Sequence, residues 1–304
     1  MMSATTFTFT DPDGFEIFVY KWAPDTGKPK AVVQVVHGLG EHALRYERFA
    51  KYLNQAGYMV YADDHRGHGK TAGNLSRVGI IGEDGWNGMV KDENQLSGII
   101  EEENPGLPIF LLGHSMGSFI GQRYIECWGN QLKGVVLTGT TGLPMFPPES
   151  ISFLEKAAEG DMRDKPPTQN VMSALNTPFE PAKTPFDWLS RDEEEVQKYI
   201  GDQFCGFAGT NGMTLDMARG CLEMLEPEQQ ALIPRALPVL IACGDMDPVG
   251  AHGGAQALAK RYEDVGIKDV QLILYPGARH EVLNETNRDQ VQQDITTWLE
   301  NHLK

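Results

Sequence analysis

Gly113-His114-Ser115-Met116-Gly117 stands where a short, unbroken apolar run, Pro108 to Leu112, gives way to helical spacing from Ser118 to Ile125. The run reads as a strand buried on both faces. A serine on so sharp a strand-to-helix turn needs small neighbours, which Gly113 and Gly117 supply. The turn lifts the hydroxyl clear of the sheet, and the start of the helix favours negative charge developing beside it. The chemistry this suggests is nucleophilic attack on a carbonyl by Ser115. A hydroxyl does this only when a base takes its proton and a further group orients that base.

Both partners are found after later strand patterns. Gly277-Ala278-Arg279-His280-Glu281 follows the run ending at Tyr275, making His280 the candidate base. Gly244-Asp245-Met246-Asp247-Pro248 follows the run ending at Cys243 and offers two acids. Asp245 lies nearer the strand end and could bond amides of its own turn. Asp247 lies further out, where it can reach an imidazole, and Pro248 stiffens its exit. An oxyanion needs two amide donors. The amide of Met116, directly after the serine, is one candidate; that of Leu39, in the glycine-rich His37-Gly38-Leu39-Gly40-Glu41-His42, is the other. Glu41 and Arg45 suit a local ion pair as well as the lining of a polar pocket. His65 and His68 sit on a glycine-broken loop, where hydrogen bonds that fix the loop are expected rather than a metal.

The elements that must carry these residues alternate. A hairpin turns at Asp11-Pro12-Asp13-Gly14. Strand patterns then follow at Ala31–Val36, Tyr58–Ala62, Pro108–Leu112 and Gly134–Thr138, with helical stretches between them, the longest from Trp86 to Glu103. That alternation predicts an α/β fold, a mostly parallel central sheet flanked by helices. It breaks after Thr141 and resumes at Pro238. Residues 1–140 and 237–304 are therefore expected to form the core domain, and 141–236 an inserted helical cap. The cap carries two proline-rich stretches and an acidic run, Asp192 to Glu195, expected to be a solvated helix start.

Composition narrows the partners. The net charge of −16 over 304 residues argues against nucleic acid or an anionic membrane held by electrostatics. Cys127, Cys205, Cys221 and Cys243 show no local zinc spacing, so no metal or other cofactor is expected. Met1 to Thr10 lacks signal-peptide character and no apolar stretch is long enough to span a bilayer, so a cytoplasmic protein is expected. The oligomeric state has no signature in the sequence.

As a set, these motifs resemble the monoacylglycerol lipase and lysophospholipase branch of the α/β-hydrolases, sometimes grouped with serine aminopeptidases. The matching segments are His37–His42 with Arg45-Tyr46, Asp64–Gly69, Gly113–Gly117, Gly244 with Asp247, and Gly277–His280. The resemblance implies a Ser115, Asp247, His280 triad with Leu39 and Met116 as the oxyanion hole. It also implies an apolar acyl channel in the cap and polar groups near Gly40-Glu41-His42 to meet the alcohol. Phe146, Phe153, Leu154, Phe179, Phe186 and Trp188 are the candidates to line such a channel. The proline-rich stretches and Phe204-Cys205-Gly206-Phe207 look more like bacterial relatives. The expected activity is hydrolysis of carboxylic esters, monoacylglycerols or other small acyl esters, with at most transient contact with a lipid surface. An aminopeptidase or amidase would use the same triad, with Glu155, Glu159 or Asp161 available for an amino group. A non-catalytic binding protein on the hydrolase scaffold is the alternative of a different class.

Overall fold

The computed structural model describes residues 4–168, 171–250 and 253–303. The first three residues, and Gln169 and Asn170 of the second proline-rich stretch, lie outside them.

Alternating apolar residues build both faces of one eight-stranded sheet. Its strands are β1 (Thr5–Thr10), β2 (Glu16–Trp22), β3 (Ala31–Val36), β4 (Tyr58–Asp64), β5 (Ile109–His114), β6 (Gly134–Thr138), β7 (Val239–Gly244) and β8 (Val270–Tyr275). They lie in the order β1-β2-β4-β3-β5-β6-β7-β8, antiparallel in the first two pairings and parallel in the rest. In β5, Ile109 and Leu111 face one apolar cluster while Phe110 and Leu112 face the other. The period of two that sends successive side chains to opposite faces explains why the central strands read as unbroken apolar runs.

Helices cover both faces. Of those before β6, α1 (Glu47–Gln55) buries Phe49, Ala50 and Leu53 on one side, and α2 (Gly69–Ala72) is a single turn. On the other side, α3 (Gly85–Glu103) and α4 (Met116–Trp128) bury Trp86, Met89, Phe119 and Ile120. Between β6 and β7 come α5 (Ile151–Ala157), α6 (Glu193–Gly201), α7 (Asn211–Glu223) and α8 (Pro227–Gln230); α9 (Gly254–Asp264) and α10 (Arg288–Leu303) close the chain. Among the described residues no helix is long and apolar enough to cross a membrane.

The segment 141–236 divides into two kinds of structure. Met213, Met217 and Cys221 of α7 belong to the same apolar cluster as α3, α4 and β5, so this part is built into the main core. Trp188, Leu189 and Tyr199 form a small separate cluster. The acidic run does start a helix, with Asp192 accepting from the amides of Glu194 and Glu195 at 3.1 and 3.4 Å. Glu195 is buried rather than solvated, because Arg48 of α1 reaches its carboxylate at 2.8 Å.

The start of α4 is pressed onto the end of β3. A β-carbon at Gly117 would lie 2.1 Å from the Val36 carbonyl oxygen and 2.4 Å from that of His37. Since backbone cannot yield as a side-chain tip can, Gly117→Ala should destabilise the fold by about 2–3 kcal/mol. Chemical denaturation would show this as a lower midpoint at an unchanged slope.

Candidate active site

Ser115 sits at φ 53° and ψ −122°, in a region that non-glycine residues rarely occupy. Three features hold it there. Its amide donates to the Thr138 carbonyl at 3.0 Å, the Ser118 hydroxyl donates to its carbonyl at 2.6 Å, and no β-carbon fits at Gly113, where the Gly117 carbonyl oxygen would be 2.4 Å away. As the first residue of α4, Met116 has an N–H without an acceptor inside the helix.

His280 and Asp247 meet 33 residues apart, with His280 Nδ1 2.9 Å from Asp247 Oδ1. Both are 2% exposed. The same carboxylate oxygen accepts the Val249 amide at 2.9 Å, which fixes its position. A carboxylate at Nδ1 makes that nitrogen the donor and leaves the Nε2 lone pair free to take a proton. Burial alone would lower the His280 pKa, but the facing Asp247 carboxylate raises it above the ordinary value of 6.5. Asp245 is exposed and accepts the Gly277 amide at 2.7 Å, so it braces the loop that leads to His280.

The neighbouring His114 stays neutral. Burial, and then the nearby His280, push its pKa down to about 4. Its Nδ1 lies 3.0 Å from the Thr138 hydroxyl, and its ring lies 4.7 Å from that of His280.

The loop carrying Leu39 is held by charge. Glu41 Oε1 accepts the Gly38 amide at 2.7 Å and the Tyr46 hydroxyl at 2.9 Å. Arg45 gives 2.6 Å to Glu41 Oε2 and a two-pronged grip, 2.6 and 2.8 Å, to Glu281, 236 residues away. Glu41 and Arg45 form the local ion pair, and Glu41, unlike Arg45, also lines the cavity at Ser115. Burial would raise the Glu281 pKa, yet Arg45 brings it down to about 2. Glu281 has no signal of its own in the sequence beyond its place next to His280.

Beneath that loop lies a fully buried group that spacing alone does not reveal. His65 Nε2 is 3.0 Å from the His37 carbonyl oxygen, and the His65 amide donates to His37 Nε2 at 3.1 Å. Asp63 Oδ2 lies 3.0 Å from His65 Nδ1, and Glu93 Oε1 lies 3.3 Å away. Burial would lower the His65 pKa, but Asp63 raises it; burial, with Asp63 adding to it, holds the Glu93 carboxyl well above its usual range. These histidines fasten the Asp63–Gly69 loop to the end of β3.

Ser115, His280, Leu39, Glu41, His114, Glu281, Trp188, Leu189 and Tyr199 surround a cavity of about 10 Å³, room for one water at most. Trp188 lies over His280 with ring centroids 4.8 Å apart. Its segment is paired to the same loop, since Leu189 O accepts the Glu281 amide at 2.8 Å and Trp188 O that of His280 at 3.3 Å. Of the six apolar residues expected along an acyl channel, Trp188 lines this cavity. Phe146 packs on the main core, Phe179 packs against the Trp188 cluster under the Arg279 guanidinium at 4.3 Å, and Phe153 is 70% exposed. Neither Phe146 nor Phe179 is among the residues lining this cavity; each has apolar or cation–π partners of its own.

A mostly parallel sheet with a strained serine turn after its fifth strand, and an Asp–His pair after its seventh and eighth, is the α/β-hydrolase fold. The family model described as "serine aminopeptidase, S33" matches residues 27–287, and the chain belongs to that family. A monoacylglycerol lipase of Mycolicibacterium smegmatis is 30% identical over the full length of both chains. The human monoglyceride lipase is 30% identical, covering 94% of this chain and 88% of its own. A thermostable carboxyl esterase from Bacillus coagulans, solved in complex with glycerol, is 31% identical and superposes over the whole of both chains with a TM-score of 0.92.

Arg45 is the sole cation bonded to Glu41 and Glu281 among the described residues, and its own side chain is only 12% exposed. Arg45→Met would leave both carboxylates buried without a counter-charge, so it should cost about 3–5 kcal/mol of stability. Adding Glu281→Gln should recover part of that loss in the same denaturation experiment.

Proposed function

We propose that this protein hydrolyses carboxylic esters of small alcohols, monoacylglycerols foremost, through an acyl-enzyme on Ser115. The observation that carries the reading is the buried His280–Asp247 pair at 2.9 Å, opening on the cavity that also contains Ser115. Ser115 Oγ attacks the ester carbonyl as His280 Nε2 takes its proton, and Asp247 stabilises the imidazolium. The amides of Leu39 and Met116 receive the charge that develops on the carbonyl oxygen. Collapse of the intermediate expels the alcohol, which leaves with the proton held on His280. Water activated by the same imidazole then releases the acid. The names of the lipase and esterase relatives favour an acylglycerol as substrate.

The amide alternative requires an acidic group ready to meet a substrate ammonium. Glu155, Glu159 and Asp161 are exposed, and Glu155 is engaged by Arg219 at 2.6 Å. The acids that do reach the site, Glu41 and Glu281, are already paired with Arg45. An ester, which brings no charge, suits such a pocket better. Leu143, Met145 and Phe153 are large apolar side chains exposed on segment 141–236, which suits brief contact with a lipid surface.

Assays on p-nitrophenyl esters, monoacylglycerols and aminoacyl anilides test this reading. Turnover is expected on the esters and not on the anilides. Ser115→Ala should lower kcat on the order of 10⁶-fold and Asp247→Asn on the order of 10⁴-fold, while Asp245→Asn keeps most activity. The base acts only when unprotonated, and Asp247 raises the His280 pKa. The acid limb of kcat/KM should therefore lie above 6.5 and move to lower pH in Asp247→Asn. Unchanged turnover in a folded Ser115→Ala variant would overturn the mechanism.

A further inference from the structure

Next to the candidate site, the loop after β3 and the turn after α6 bring together an imidazole, a carboxylate and a thiol that ester hydrolysis does not use. Ligand atoms of His42, Asp202 and Cys205 all lie within 4.8 Å of one another. His42 Nε2 is 3.0 Å from Asp202 Oδ2, although the two residues are 160 positions apart.

The backbone holds this grouping from both sides. The Gly206 amide donates to the Gly40 carbonyl at 2.9 Å, and the Tyr199 hydroxyl donates to the same oxygen at 2.8 Å. Asp202 closes its own turn by accepting the Phe204 amide at 2.9 Å on Oδ1, which leaves Oδ2 toward His42. The Cys205 amide donates to the Asp202 carbonyl at 3.1 Å. The three donors are therefore carried on a clamped turn and a clamped loop, the preorganisation a metal site needs. Access is graded as well. The His42 side chain is 10% exposed and that of Asp202 36%, so an ion can arrive from solvent on the carboxylate side.

We infer that His42, Asp202 and Cys205 form a binding site for Zn²⁺, with water as the fourth ligand. Sulfur, imidazole nitrogen and one carboxylate oxygen suit a tetrahedral zinc-class ion. Calcium and magnesium take oxygen ligands and are poorly served by this set. The thiol proton passes to solvent as the ion binds. The other clustered group, Asp63, His65 and Glu93, is at most 2% exposed and bonded internally, so it has no comparable entry path. An ion at His42 would fasten the turn after α6 to the loop bearing Leu39 and Glu41, and so join segment 141–236 to the core beside the serine. This site does not depend on the ester reading.

Metal-free protein titrated with Zn²⁺ against a chromophoric chelator tests the proposal, with Co²⁺ as a spectroscopic probe. One Zn²⁺ per chain, a rise in Tm and a sulfur-to-cobalt charge-transfer band are expected. Cys205→Ser should weaken Zn²⁺ binding roughly tenfold or more and abolish the band, and His42→Gln should weaken binding similarly. Cys127→Ser, which alters an exposed thiol, should change neither. Zinc affinity unaltered in Cys205→Ser, a band that disappears with Cys127 instead, or no zinc held against the chelator would each overturn it. Cys205→Ser, a near-isosteric change, keeps the test decisive if the His42 variant does not fold.

Discussion

No atom larger than hydrogen can stand on the α-carbon of residue 117, because the carbonyl oxygens of Val36 and His37 already occupy the space. That contact fixes the distance between the start of α4 and the end of β3. The amide of Met116 belongs to the first element, and the loop carrying Leu39 is the continuation of the second. Ser115 lies between them in a strained conformation that the surrounding hydrogen bonds impose. An oxyanion site made of two amides from different elements can be no more accurate than the packing of those elements. Between Met116 and the Leu39 loop, the packing is set by a backbone-on-backbone contact, where a side-chain contact could relax.

Around this contact the protein places charge where charge is expensive. Arg45, Glu41 and Glu281 are nearly enclosed, and so are Asp63, His65 and Glu93. Replacing such groups by apolar ones is often neutral or stabilising, so net stability does not account for them. What they provide is direction. Glu41 aims the Gly38 amide, Arg45 ties that loop to the one bearing His280, and His65 holds the His37 carbonyl from below. The first is a bond within one loop, while the other two join loops 236 and 28 residues apart in the chain, which apolar packing alone would leave free to slide.

Candidate residues placed by the end of a local element were legible in the sequence. Ser115 follows a recognisable strand, and Asp247 and His280 follow two more; the alternation that exposes those strands also fixes their order. Between the two neighbouring acids, the place further out in the loop and the resemblance both favour Asp247; the structure sets Asp247 against His280 and gives Asp245 to the Gly277 amide. Glu281 was hidden because its partner Arg45 is 236 residues away. The role of Trp188 over His280 was hidden for a similar reason, since periodicity says which face of an element is apolar and not what covers it. The acidic run at 192–195 shows the same limit at smaller scale. Its capping role follows from residue type, whereas the burial of Glu195 follows from Arg48 on a distant helix.

The cover over Ser115 is bound too firmly to be a loosely hinged flap. Leu189 and Trp188 share backbone hydrogen bonds with Glu281 and His280. Two residues on, Arg191 reaches Glu285 at 2.8 Å and Asn287 at 3.0 Å, and Asp192 accepts from Arg288 at 2.6 Å. Arg279 adds bonds back to the carbonyls of Asp187 and Ser190. Swinging this strap away whole would break most of these bonds and detach the backbone that positions the candidate base. Under the proposed reaction, a substrate that needs more than a cavity of about 10 Å³ would enter at lower cost by side-chain movement of Trp188, Leu189 and Leu39, which line it, than by displacing the strap. Side-chain rotamers change on far shorter timescales than a domain hinge. The shared backbone bonds would then keep His280 in place while the pocket adjusts, because cover and His280 loop are tied together.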